Sequence, residues 1–326
     1  MMSRLKSGKA DTSDRIKAIV KTAGRILFVL SIIFVIVKIH NMGFDPAVIG
    51  DIPVFFAMAA LAVFLNMLST LVLALAWGGW IAFFSSLPVN RADAVIIYGK
   101  SAIGKYLPGN VMHYVERNLF ASEYGLSQKK IMISTIMEIM VMIISGILLS
   151  VCLLPFSYFH KVEEVLGVNF LSVILVFAGG LTVAVICCIL VFRKRNITKM
   201  IGEYKLSRFA GTFLGALLAG TGCLLLNGAG MCALWWGLDS AVCDLQSMRH
   251  ILSAFSMAWV CGFVIPGAPG GIGVREAVLT VLLESIIDGP GLAVILIVHR
   301  ITSIAGDFIF YVVVSAGRKF SHSKKA

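Results

Sequence analysis

Three arginines of this sequence, Arg117, Arg275 and Arg300, could each present a planar guanidinium group to a phosphate, a geometry that lysine does not supply. Arg275 comes two residues after the run Gly270-Gly271-Ile272-Gly273. Free backbone N–H groups in such a run, at the start of a helix, favour an anion. The residue types therefore indicate recognition of an anionic, phosphate-bearing group.

Acidic and imidazole side chains accompany the arginines. Glu116 adjoins Arg117, and Glu276 adjoins Arg275. Further candidates for proton transfer or ion pairing are Glu138, Glu284, His299 and Asp307. Two interpretations stay open for these groups, because an ionisable residue in an apolar segment either contacts a substrate or neutralises another buried charge.

Two of these alternatives concern particular side chains. Glu138 and Arg300 are at similar predicted depths, so a buried ion pair between them is one interpretation and substrate contact the other. His299 is either a proton relay or a structural residue. The sequence has no nucleophile elbow, zinc-protease, phosphate-loop or dinucleotide motif, so we expect no catalytic residue, no metal and no cofactor.

The elements that must position these residues are membrane helices. Apolar residues make up 59% of the 326 residues and charged residues only 14%, which excludes a soluble globular domain. Apolar runs predict an all-α polytopic membrane protein with about six full transmembrane helices, near residues 24–40, 52–76, 131–155, 168–192, 210–236 and 291–315. The net charge of +11 reflects basic loops, and we expect no nucleic-acid partner.

Two further segments, 93–120 and 251–287, are broken by helix-disrupting residues. These are Pro108 and Gly109 in the first segment, and Pro266, Gly270, Gly271 and Gly273 in the second. The two arms of 251–287, about 15 residues each, are too short to cross a bilayer comfortably. With the orientation given below, both segments are predicted to be re-entrant hairpins. Non-helical backbone at membrane depth requires a protein interior or a watery cavity, so the hairpins predict a cavity.

The distribution of basic residues predicts the orientation. Lys and Arg concentrate in the N-terminal 25 residues, in 85–130, in 193–209 and in the tail, which together hold 23 of the 28 basic residues. The positive-inside rule places these segments and both termini in the cytoplasm, and the two hairpins then enter from opposite faces. The expected location is a plasma membrane, which the chain crosses several times.

A shift of 158 residues superposes the two halves of the chain. It carries span 52–76 onto 210–234, and Arg117 onto Arg275. The chain therefore divides into a basic segment 1–23, a transmembrane domain 24–315 and a basic tail 316–326, with repeat 1 about 24–155 and repeat 2 about 168–315. Inverted repeats with broken segments in corresponding positions are typical of alternating-access transporters.

Polar and aromatic residues in corresponding spans carry further predictions. Asn66 and Asn227 predict a hydrogen bond between helices. Four tryptophans fit aromatic belts at the membrane surface: Trp77, Trp80, Trp235 and Trp236.

Two motifs of the chain resemble the transmembrane region of the lysylphosphatidylglycerol synthase family. They are Gly104-Lys105-Tyr106-Leu107-Pro108-Gly109 followed by Arg117, and Pro266-Gly267-Ala268-Pro269-Gly270-Gly271-Ile272-Gly273-Val274-Arg275-Glu276. The resemblance covers about 24 to 315. It implies a flippase-like membrane domain that moves anionic, aminoacylated or polyprenyl-linked lipids between leaflets. Carried over by motif, the implied binding residues are Pro108, Gly109, Arg117, Pro266, Gly270, Gly271, Gly273, Arg275 and Glu276.

Bifunctional members of that family continue into a soluble synthase domain, whereas this chain stops at Ala326. We therefore expect a transporter and not an enzyme, with an anionic phospholipid or a polyprenyl-phosphate lipid as its partner. The alternative is a membrane-embedded transferase, or an accessory subunit that works with an enzyme of lipid or cell-envelope polysaccharide assembly.

Overall fold

The computed structural model describes residues 48–85, 90–106, 112–154, 206–238, 244–264, 271 and 273–323, without the side chains of residue 206 and of 317–323. Within these ranges the chain is helical and contains no strand. The helices are α1 (Ile52–Phe84), α2 (Arg91–Ala102) with a following 3-10 turn (Ile103–Tyr106), α3 (Met112–Glu123), α4 (Gln128–Leu153), α5 (Leu206–Leu238), α6 (Leu245–Val264), α7 (Val274–Leu283) and α8 (Gly289–Ser323).

Four of these helices, α1, α4, α5 and α8, are long and apolar enough to cross a membrane. Even α4, with 26 residues, spans about 39 Å, which exceeds the roughly 30 Å of a bilayer's hydrocarbon core. The four helices confirm the predicted apolar helices near 52–76, 131–155, 210–236 and 291–315, and they indicate a membrane protein. The predicted spans 24–40 and 168–192 and the segment 1–23 lie outside the described residues.

Local side-chain contacts fix where several helices begin. The Asp51 carboxylate accepts a hydrogen bond from Val54 N at the start of α1, at 3.1 Å. Asp244 accepts in the same way from Ser247 N, at 2.8 Å, before α6. These bonds satisfy backbone donors that have no partner within the helix, which is why short acidic residues define these ends.

The two segments predicted to be broken consist of helices shorter than the four candidate spans, called the short helices below, and the helices of each segment pack against each other. In 93–120 these are α2, the 3-10 turn and α3, and in 251–287 they are α6 and α7. Helix α6, with 20 residues, is longer than the predicted arm of about 15 residues. The glycine before α7, Gly273, has a φ of +88°, a conformation that residues with a Cβ rarely adopt. Four of the residues predicted to break the helices lie outside the described residues: Pro108, Gly109, Pro266 and Gly270.

The helix interfaces occur in corresponding pairs. Helices α1 and α5 share the most extensive interface of the described chain, and α8 packs on α1 as α4 packs on α5. In the same way α2 contacts α1 and α8, whereas α6 contacts α5 and α4. If α1, α2, α3 and α4 are matched to α5, α6, α7 and α8 in that order, each of these helix contacts therefore has a counterpart in the other half of the chain.

Polar and aromatic side chains fill the interface between the long helices. The predicted hydrogen bond between α1 and α5 is confirmed, because Asn66 Nδ2 donates to Asn227 Oδ1 at 3.0 Å. The prediction of tryptophan belts is wrong for Trp77, Trp80 and Trp235, which are fully or almost fully buried in the protein. Trp80 of α1, for example, packs against Phe209 of α5 with ring centroids 5.8 Å apart, because a flat indole ring fills the space between packed helices.

Candidate functional site

A cavity of about 180 Å³ lies between the long helices and both pairs of short helices. Its lining from the long helices comes from near their midpoints, from Asn66–Leu73 of α1, Glu138–Met142 of α4, Cys223–Asn227 of α5 and Leu296–Asp307 of α8. The short helices contribute the remaining lining residues: Tyr98, Ala102, Lys105, Tyr106, His113, Tyr114, Arg117, Phe255, Trp259, Phe263, Arg275, Glu276 and Leu279. The cavity therefore lies at the same depth along each of the four candidate spans.

Arg117, one of the three predicted phosphate-binding arginines, is held in place from several sides. Its guanidinium group donates to Glu138 of α4, and its Nε lies 3.5 Å from Ser101 Oγ. The guanidinium carbon lies 3.8 Å from the ring centroid of Tyr98, whose hydroxyl also donates to Glu138 Oε1 at 2.7 Å. Glu138 therefore pairs with Arg117, and the charge of Arg117 is neutralised within the protein.

A second ion pair connects the first pair of short helices to the last long helix. Lys105 Nζ lies 2.7 Å from Asp307 Oδ2 and 2.9 Å from Oδ1. The same carboxylate accepts hydrogen bonds from the Tyr106 hydroxyl at 2.6 Å and from Thr70 Oγ1 at 3.1 Å. Asp307 is 1% exposed, so this set of donors compensates a carboxylate that is removed from solvent.

Arg275 belongs to α7 and reaches the cavity between two glycines. A Cβ atom on Gly262 would lie 2.5 Å from Arg275 Cγ, and one on Gly271 would lie 2.8 Å from Arg275 Nε. The guanidinium carbon lies 5.6 Å from the ring centroid of Trp259. The absence of side chains at both glycines therefore provides the space that this arginine occupies.

The charge of Arg275 has no carboxylate partner among the described residues. Its Nε is buried and makes no hydrogen bond. The neighbouring Glu276 forms no ion pair with Arg275 in the described structure. A carboxylate oxygen of Glu276 instead accepts from Gly273 N at 2.5 Å and so caps α7. Glu276 accordingly has a structural role at the start of the helix, although it also lines the cavity.

His299 and Arg300 follow each other on α8, and both line the cavity. His299 Nε2 lies 3.1 Å from the carbonyl oxygen of Asn227, and its ring packs edge-on against Phe255. The Asn227 side chain bonds in turn to Ser69 Oγ at 2.8 Å and to Asn66. His299 is thus part of a polar network that joins α8, α5 and α1.

The other predicted site residues are located away from the cavity or outside the described residues. Glu284 ends α7 and is exposed, and Glu116 is half-buried beside Gly104. Neither of these carboxylates lines the cavity. Pro108, Gly109, Pro266 and Gly270 are not described, so the cavity brings together Arg117, Glu138, Arg275, Glu276, His299, Arg300 and Asp307.

Sequence reasoning missed several cavity residues, of which Lys105 carries a charge. It lies within the motif that predicts the first hairpin, and an ionisable group at that position was the available signal. The hydroxyl partners Tyr98, Tyr106 and Thr70 carry no comparable signal, because tyrosine and threonine are common in apolar helices. Their roles depend on which helices come into contact.

The cavity is amphipathic with an excess of positive charge. Among the described residues, four cations line it, namely Lys105, Arg117, Arg275 and Arg300, against the three carboxylates Glu138, Glu276 and Asp307. A lining with more cations than carboxylates can hold an anion. In the part of the chain that the structure describes, no group of three or more His, Cys, Asp or Glu residues is arranged to hold a metal ion.

Comparisons with known proteins add no relative to this description. No family model, curated protein or solved structure matches the chain.

Proposed function

We propose that this protein moves a lipid with a phosphate-bearing headgroup between the leaflets of a bacterial inner membrane. The lipid is an anionic phospholipid or a polyprenyl phosphate, as the resemblance to the flippase-like family implies. In this proposal six helices cross the membrane, both termini are cytoplasmic, and the two pairs of short helices form oppositely directed re-entrant hairpins.

The observation that carries the proposal is the position of Arg275. Its guanidinium group lines a cavity at the midpoints of four candidate spans, without a carboxylate partner among the described residues. A charge at such depth is costly without a partner. Membrane proteins retain such unpaired charges mainly along the pathway of a substrate or an ion. A phosphate, which accepts two parallel hydrogen bonds from a guanidinium group, satisfies Arg275 directly.

The arrangement of the helices supports transport. Transporters built from inverted repeats bind their substrates near the middle of the membrane, where discontinuous helices of the two repeats meet. Here the cavity is lined by both pairs of short helices, and the helix contacts are unchanged when the two halves are exchanged.

The size of the cavity supports a headgroup as its occupant. Its volume of about 180 Å³ is below the roughly 300–1,000 Å³ typical of sites that enclose a whole drug-sized ligand. Only the polar end of a lipid fits within such a volume, so the acyl or prenyl chains remain among the membrane lipids. This division avoids exposing the headgroup charge to hydrocarbon while it crosses.

The state of the carboxylates favours binding over group transfer. Glu138 accepts from Arg117 and Tyr98, Asp307 from Lys105 and Tyr106, and Glu276 from Gly273 N. A general base must reach the proton that it removes, but both oxygens of Glu138 and of Asp307, and one oxygen of Glu276, already accept hydrogen bonds within the protein.

The test is leaflet exchange in liposomes. Purified protein is reconstituted with fluorescent phosphatidylglycerol, or with a fluorescent polyprenyl phosphate, and a membrane-impermeant quencher reports how fast the inner-leaflet label becomes accessible. We expect exchange with the wild type and a loss of at least tenfold in rate for Arg275→Gln. Arg249→Gln is the matched control, because Arg249 is exposed at the start of α6 and does not line the cavity.

The outcomes are clear-cut. An Arg275→Gln variant that folds and exchanges lipid at the wild-type rate would show that the cavity does not carry the headgroup. Wild-type protein that exchanges neither lipid class would contradict the proposed function as a whole.

A further inference from the structure

We infer that Lys105 is a second headgroup-binding residue. Asp307 is its counter-ion within the protein and competes with the lipid phosphate for the ammonium group. This inference rests on the proposed function and adds the residue through which the first pair of short helices recognises the substrate. It replaces Arg117, which the sequence motif indicates for that role.

The two cations that the first pair of short helices brings to the cavity differ in their freedom to move. Arg117 is 2% exposed and lies between aromatic rings, 3.8 Å from the centroid of Tyr98 and 5.4 Å from that of Trp77. The side chain of Lys105 is 34% exposed. Lys105 is therefore the cation that can turn toward a ligand without breaking the packing around it.

The hydrogen bonds of Lys105 leave a donor available for a phosphate. An ammonium group has three N–H donors, and among the described residues the partners of Lys105 are the two oxygens of Asp307, at 2.7 and 2.9 Å. At least one donor is accordingly available while the ion pair with Asp307 persists. A phosphate oxygen at this donor would form a charge-assisted hydrogen bond.

Asp307 remains compensated when Lys105 transfers to a phosphate. The Tyr106 hydroxyl, at 2.6 Å, and Thr70 Oγ1, at 3.1 Å, still donate to its two oxygens. By contrast, Glu138 would keep only the hydrogen bond from the Tyr98 hydroxyl if Arg117 moved away, and Arg117 and Glu138 are both buried. Of these two ion pairs, the one at Asp307 therefore releases its cation at the lower cost.

Lys105 and Arg275 come from opposite pairs of short helices. Lys105 lies on the 3-10 turn after α2, Arg275 on α7, and both side chains line the same cavity. A phosphate that contacts both residues would connect the two pairs. It would also weaken the ion pair between Lys105 of the 3-10 turn and Asp307 of α8.

The experiment measures lipid binding and exchange on the same set of variants. Protein in phosphatidylcholine nanodiscs is titrated with phosphatidylglycerol, and the apparent affinity is read from thermal stabilisation. The variants are Lys105→Gln, Asp307→Asn and the double variant, with Lys129→Gln as the control, because Lys129 is exposed and lies outside the cavity.

We expect Lys105→Gln to weaken phosphatidylglycerol binding about tenfold or more and to slow its exchange. Asp307→Asn removes the competing carboxylate, so we expect it to tighten binding severalfold, and this gain should vanish in the double variant.

A structural ion pair would behave differently. In that case Lys105→Gln and Asp307→Asn would lower the melting temperature by similar amounts, and Asp307→Asn would not bind phosphatidylglycerol more tightly. That result would overturn the inference. If the Arg275→Gln variant loses exchange while Lys105→Gln binds and exchanges lipid as the wild type does, the inference fails and the proposed function stands. If the wild type neither binds nor exchanges the lipid, both fail.

Discussion

The guanidinium group of Arg117 on α3 donates to the carboxylate of Glu138 on α4, in a position where the two residues are only 2% and 7% exposed. Tyr98 completes the arrangement, because its hydroxyl donates to the other carboxylate oxygen and its ring faces the guanidinium group. This cluster fixes the first pair of short helices to a candidate span. It also distinguishes Arg117, whose charge is paired, from Arg275, which has no carboxylate partner among the described residues, although a shift of 158 residues carries one onto the other.

Removing one partner of this cluster should destabilise the protein strongly. Glu138→Gln leaves the Arg117 charge buried without its partner, which costs about 3–5 kcal/mol. The measurement is the melting temperature in detergent or the free energy of unfolding. The double variant Arg117→Met/Glu138→Gln should recover most of the loss, because no unpaired charge remains. Equal losses in the single and double variants would contradict the ion-pair account.

Adding a methyl group at Gly262 should displace Arg275 without removing its charge. The new Cβ would lie 2.5 Å from Arg275 Cγ, so the arginine side chain must shift. We expect Gly262→Ala to lower the rate of lipid exchange several-fold while the protein remains folded. Gly222→Ala is the control, because a Cβ there meets no atom within 4 Å. Wild-type exchange in Gly262→Ala would mean that the position of Arg275 does not matter.

The asparagine contact between α1 and α5 should contribute modestly to stability. Asn227→Ala removes the hydrogen bonds to Asn66 and Ser69, and hydrogen bonds between membrane helices contribute about 1 kcal/mol each. We expect a loss of about 1–2 kcal/mol in the free energy of unfolding. A loss from Asn66→Ala that is larger than that from Asn227→Ala would contradict the network, in which Asn227 makes more of the bonds.

The orientation can be checked with single introduced cysteines. Lys129→Cys at the start of α4 and Arg249→Cys in α6 replace exposed residues. A membrane-impermeant maleimide applied to intact spheroplasts should label Arg249→Cys above the background of the unsubstituted chain. Lys129→Cys should be labelled only after the membrane is permeabilised. The reverse pattern would invert the proposed topology.

The sequence alone determined the class of the protein and the positions of four of its long helices. Apolar runs of this length are stable only in a bilayer, and Pro and Gly interrupt a helix wherever they cluster, so both features follow from local chemistry. The contact between Asn66 and Asn227 was also predictable, since two amides in corresponding spans must find partners away from water.

Only the tertiary structure decided which charges neutralise each other. Glu138 could have paired with Arg300, and Arg117 could have faced a substrate, but packing of α3 on α4 joins Arg117 to Glu138. Lys105 and Asp307 are 202 residues apart, and nothing local to either residue indicates the other. An ion pair forms between the side chains that helix packing brings within a few ångströms, and that proximity is a property of the folded chain and not of any segment of its sequence.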